Sequence, residues 1–170
     1  MSLNHKAFEF RHSAFEKELA PILFTALKTG VVAPLVQFVH QNLAACTDPY
    51  EGDPLVEDWE AQLSAKDVQE YGDFALTKYY RPADCVGIST EWMEIDASLA
   101  EPQRKALLGA PFGPDSRLFD PGLMGSYFQD ADEVKASRHA LRAVGFPAVE
   151  YYKSLLDRAA ANGNGVYVTF

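Results

Sequence analysis

The sequence predicts an α+β fold, a helix-rich single domain over residues 1–170 with a small sheet that includes a C-terminal strand at about 166–170. Three observations lead there. Apolar residues recur at helical spacing through most of the chain. Val166-Tyr-Val-Thr-Phe170 has the β-branched and aromatic composition of a strand. A strand cannot satisfy its backbone groups alone, so it needs partners in the same chain, and residues 7–10 or 85–95 supply candidates. A length of 170 residues, 48% hydrophobic, suits one core.

Ser13-Ala-Phe-Glu16 reads as a capping box. Phe15, Leu19, Ile22, Leu23, Ala26 and Leu27 then follow helical spacing, with Pro21 either kinking this helix or starting a second. Gly30 is a stop, and Pro34 a first-turn residue of the next helix, whose apolar face is Leu35, Phe38, Val39, Leu43 and Cys46. Asp53-Pro54 looks like an N-cap and first-turn proline, with Leu55, Val56, Trp59 and Leu63 on one face and Asp53, Glu57 and Glu60 on another. A helix from 64 or 66 to about 79 is weakened by Gly72 and ended by Pro82. Residues 85–89 read as a short strand, and 90–99 fit either strand or helix. A short helix over 102–108 closes at Gly109. Asp130-Ala-Asp-Glu133 opens a helix that ends at Gly145. Phe146 or Pro147 opens the last helix, which Asn162-Gly-Asn-Gly165 breaks.

Charge is distributed very unevenly. Residues 48–73 hold nine carboxylates and one lysine, which accounts for −8 of the chain's net −9. Such a field disfavours nucleic-acid binding and speeds encounter with a basic protein. Glu57, Glu60 and Glu70 are the candidate partner-binding residues. The plain alternative is a solvated face that maintains solubility.

Residues 109–129 form a long loop with four glycines, three prolines and seven large apolar side chains. Loops of this length inside a compact domain are uncommon and often functional. A ligand site beneath it would use Arg117 for an anion, Tyr127 as a hydrogen-bonding group and His139 for proton work. The alternative is a segment that seals an edge of the core.

The sequence carries few motifs of known chemistry. The glycines carry no P-loop, dinucleotide fingerprint or hydrolase elbow, and Asp130-Ala-Asp132 lacks the rest of a calcium loop. His5, His12, His40 and His139 are scattered, and Cys46 and Cys85 cannot make a four-ligand zinc site alone. No catalytic residue, cofactor or metal is expected. No apolar run reaches the roughly 18 residues of a membrane span, and residues 1–11 lack a signal-peptide core. The expectation is no membrane association and a cytoplasmic location with reduced thiols.

Ala106-Leu-Leu-Gly109, residues 128–134 leading to Ala140-Leu141, and Tyr151-Tyr152 through Asn162-Gly163 to Val166-Tyr-Val168 follow one order. It is a loop after Leu-Gly, a helix opened by acidic residues, a tyrosine-bearing helix and a closing strand. In this the C-terminal third resembles the YfbM-like bacterial family of uncharacterised proteins. The resemblance implies a helix-rich α+β fold and a bacterial source, and it transfers no catalytic residue. The functional expectation is a non-catalytic, immunity-like protein-binding domain whose acidic face meets a basic partner. A small-ligand protein or enzyme with its site under the 109–129 loop is the alternative.

Overall fold

The computed structural model describes residues 3–170. Eight α-helices and three strands occur among them. In chain order these are β1 (Lys6–Phe10), α1 (His12–Glu18), α2 (Ala20–Thr29), α3 (Ala33–Gln41), α4 (Val68–Leu76), α5 (Trp92–Ser98), α6 (Glu101–Leu108), β2 (Ser126–Gln129), α7 (Ala131–Ala140), α8 (Pro147–Asn162) and β3 (Gly165–Thr169). The sheet order is β1-β3-β2, with both pairs antiparallel. The C-terminal strand is thus the central one. Tyr167 stands opposite Phe8 on one side and Phe128 on the other.

Side chains alternate across a strand, and here both faces are buried. Phe8, Phe10, Phe128 and Tyr167 face a cluster built from α1–α4, including Phe15, Leu23, Leu35, Val39 and Leu76. Ala7, Val166 and Val168 face a second cluster from α5–α8, including Trp92, Leu107, Val134, Tyr152 and Leu156. Burial on both faces explains why the run Val166-Tyr-Val168 carries no polar alternation.

Several sequence expectations hold. Pro21 starts α2, Pro34 lies in the first turn of α3, and Gly30 and Gly163 close α2 and α8. Asp130 and Glu133 form the expected capping box of α7. Gly72 sits where α4 approaches Leu23 and Phe119 so closely that a Cβ would lie 2.9 Å from each.

Others do not hold, for tertiary reasons. Helix α1 starts at His12 without a side-chain cap, because Arg11 N donates to Tyr79 O and fixes the exit from β1. No α-helix follows Asp53-Pro54. Asp53 O accepts from Asp48 N to close a turn, Thr47 bridges to Pro54, and only Trp59–Gln62 coils, as a 3-10 turn. Residues 85–89 are irregular, yet Val86 N donates to Ala7 O and His5 exchanges backbone hydrogen bonds with Ser89. They therefore cover the outer edge of β1. Helix α7 stops at Ala140, short of Gly145. The last four residues of the long loop are β2, whose outer edge is capped by a bridge from Phe128 to Ala110. Neither sheet edge is left open at these points, which protects against strand addition.

Gly87 illustrates how closely the edge cover approaches. A Cβ there would sit 1.8 Å from His5 O. Gly87→Ala should therefore destabilise the fold by about 2 kcal/mol or more, as overpacking against backbone does. Urea unfolding of the variant checks this, and a midpoint equal to that of the parent would contradict the packing described.

Candidate functional site

The acidic segment divides into two kinds of carboxylate. One kind builds the local structure. Asp48 Oδ1 accepts from the backbone N–H of Tyr50 and Glu51, and Asp67 caps α4 by accepting from Glu70 N. Glu70 accepts from the backbone N–H of Ser64, Ala65 and Lys66. Burial pushes its pKa up, but these three donors outweigh it and hold the carboxyl below its ordinary value. Glu60 bonds His40 Nε2 at 3.0 Å and accepts from Tyr71 Oη at 3.0 Å, and the histidine contact leads in keeping it ionised.

The other kind faces solvent. Glu51, Asp53, Glu57 and Asp58 are exposed, with no side-chain hydrogen bond or ion pair among the described residues. Tyr50, 73% exposed, and Val56, 52% exposed, lie among them. Of the residues singled out from sequence, Glu57 belongs to this group, whereas Glu60 and Glu70 are already engaged.

The three residues assigned to the long loop's ligand site are not brought together. Arg117 and His139 are exposed. Tyr127 packs with Phe170 on the α5–α8 side of the sheet. Phe112 and Phe119 carry the loop onto the opposite side, against Phe15 and Phe128. Much of this loop therefore seals the first cluster.

Asp73 was not anticipated. It lies in the continuous buried run 71–77, is 7% exposed, and makes no side-chain hydrogen bond among the described residues. Burial, with the charges of Asp48 and Glu70 adding to it and Lys6 opposing, pushes its pKa up to about 7. Tyr80 and Tyr167 are buried near it, and its charge contributes to raising both phenols. A lone aspartate before Phe74-Ala-Leu76 was the available sequence signal.

Nucleophile chemistry is poorly served. Burial pushes the Cys46 thiol up to about 11, which leaves it protonated. No group of three or more His, Cys, Asp or Glu residues among the described ones could hold a metal ion.

Two concavities stand out. The smaller, about 280 Å³, lies between α6 and α7. Its buried polar groups satisfy one another: Gln129 Nε2 donates to Ala106 O, and Ser137 Oγ donates to Gln129 Oε1. The larger, about 890 Å³, is bordered by Arg11, Lys78, Arg81 and Arg158. No protein-family model, curated protein or solved structure matches this chain.

Two predictions follow from the carboxylates. Glu70→Ala should cost about 1 kcal/mol or more, because three backbone donors lose their acceptor. Glu57→Ala should lie within about 0.5 kcal/mol of the parent, as an exposed position does. Chemical unfolding of the pair at neutral pH checks the contrast.

Asp73 gives a pH signature. Its folded pKa, about 7, lies above the usual 3.8, so its favourable state is fully present below about pH 4 and is lost as pH rises to 7. Asp73→Asn should lack that fall, so the stability difference between the two proteins should change by on the order of 4 kcal/mol across that range. Urea titrations at several pH values from 4 to 8.5 measure it, and a pH-independent difference would contradict it.

Proposed function

We propose that the protein is a non-catalytic binding domain, immunity-like in type, whose acidic segment docks a basic protein. The observation that carries this reading is the run 50–58, in which the exposed, unpaired carboxylates of Glu51, Asp53, Glu57 and Asp58 are interspersed with exposed Tyr50 and Val56. Exposed apolar side chains interspersed with unpaired charge supply what an interface needs, apolar anchors and a charged rim. The rim sets encounter rate and salt dependence, and the centre supplies affinity. Glu60 and Glu70 support the surface by shaping it. We also read the C-terminal third as YfbM-like. Supporting that reading is the succession of α6, the loop, α7, α8 and β3 in the order the resemblance implies.

The test is affinity capture from the host lysate at low and high salt, using the parent chain and a variant with Glu51→Gln, Asp53→Asn, Glu57→Gln and Asp58→Asn. Each rim charge contributes roughly 0.2–1 kcal/mol, so the variant should bind the captured basic protein about fourfold more weakly or worse. High salt should release the partner from the parent. Equal retention of a partner by both chains, insensitive to salt, would dispose of the acidic surface as its binding site.

A further inference from the structure

We propose that the 890 Å³ cleft is a binding site for a small polyanion, a compact molecule carrying two or more phosphate or carboxylate groups. The proposal does not rest on the acidic surface. Five parts of the chain form the walls: the end of β1 with Glu9 and Arg11, the 77–86 segment, Arg158 of α8, Asn164 ahead of β3, and Thr47 and Gly52 of the acidic turn. The volume falls within the range of small-molecule sites.

Four basic side chains line this cleft, against the two carboxylates of Glu9 and Asp84, in a chain of net charge −9. Some of that charge is committed. Glu9 is saturated by Arg158 Nε at 2.9 Å and by the Asn162 and Asn164 amides at 2.7 Å each. Lys78 Nζ is held by Glu18. Arg11 is different. Its guanidinium donates to Lys78 O, stands 5.8 Å from the Tyr79 ring centre, and has no ion pair among the described residues. Arg81 is 81% exposed at its side chain and meets only Asp84, at 3.5 Å. Two guanidiniums, each with donors to spare, therefore border one concave volume. Guanidinium forks match phosphate and carboxylate oxygens two at a time.

Ligand size follows from the neighbourhood. Gly52 lines the cleft, and exposed Glu51 and Asp53 flank it in sequence. A long phosphate backbone leaving the cleft on that side would meet those carboxylates, whereas a compact anion would not.

The experiment is calorimetric titration of the full chain with inorganic pyrophosphate and, separately, with citrate, at constant ionic strength. One-to-one saturable binding with Kd below about 1 mM is expected for at least one probe. Pyrophosphate alone would identify a phosphate ligand, and citrate alone a carboxylate ligand. Arg81→Glu should weaken binding at least tenfold with a melting temperature changed little, because the side chain is exposed and its one ion pair, with neighbouring Asp84, is solvated. Arg11→Gln should weaken it as well. No saturable heat from either probe up to about 10 mM, or undiminished affinity in Arg81→Glu, would overturn the proposal.

Discussion

Pairing of the last strand between the first and the second holds this fold together. β3 hydrogen-bonds β1 on one side and β2 on the other, while its side chains enter two separate clusters. Tyr167 contacts Phe8, Phe10, Tyr80 and Phe128, and Val166 and Val168 are fully buried on the reverse face. The helices of the first half and those of the second half meet the same strand from opposite sides. Neither cluster is complete until the final residues have been placed. Pairing of residues 6–10 with residues 165–169 closes nearly the whole chain into one loop, and such non-local contacts slow folding.

That doubly covered sheet buries two ionisable groups whose pH responses oppose each other. His5 is 1% exposed, bonds Leu107 O through Nε2 at 2.8 Å, and accepts at Nδ1 from Ile88 N. Burial dominates over its carbonyl contact and lowers its pKa to about 4. A proton on Nδ1 would face the Ile88 N–H, so the neutral ring is the fitting form. The stability His5 contributes is present above its unfolded value of 6.5 and lost as pH falls towards 4. Asp73 runs the other way, losing its contribution as pH rises from about 4 to 7. Over the range in which both titrate, the slopes have opposite sign and offset one another.

Charge is segregated as well as paired. The turn at residues 48–58 collects unpaired carboxylates, and the adjoining cleft collects guanidiniums. Gly52 belongs to both. Fields of opposite sign therefore stand side by side, and a charge drawn to one is repelled by the next.

Local chemistry made a good part of this legible in the sequence. The α+β class, the helices starting at Pro21, Pro34, Asp130 and Pro147, the stops at Gly30 and Gly163, and the closing strand all rest on signals within a few residues. The net −8 of residues 48–73 was likewise plain. Tertiary contacts decided the rest. Asp53 closes a turn because Asp48 N reaches its carbonyl, and residues 126–129 become a strand because β3 lies beside them. Which carboxylates are free depends on Glu60 finding His40 and Glu70 finding the 64–66 backbone. Arg11, Arg81 and Arg158 share a cleft only because β1, the 77–86 segment and α8 converge. Periodicity and capping report what a residue does with its near neighbours, whereas a site made by distant segments exists only once the chain has folded.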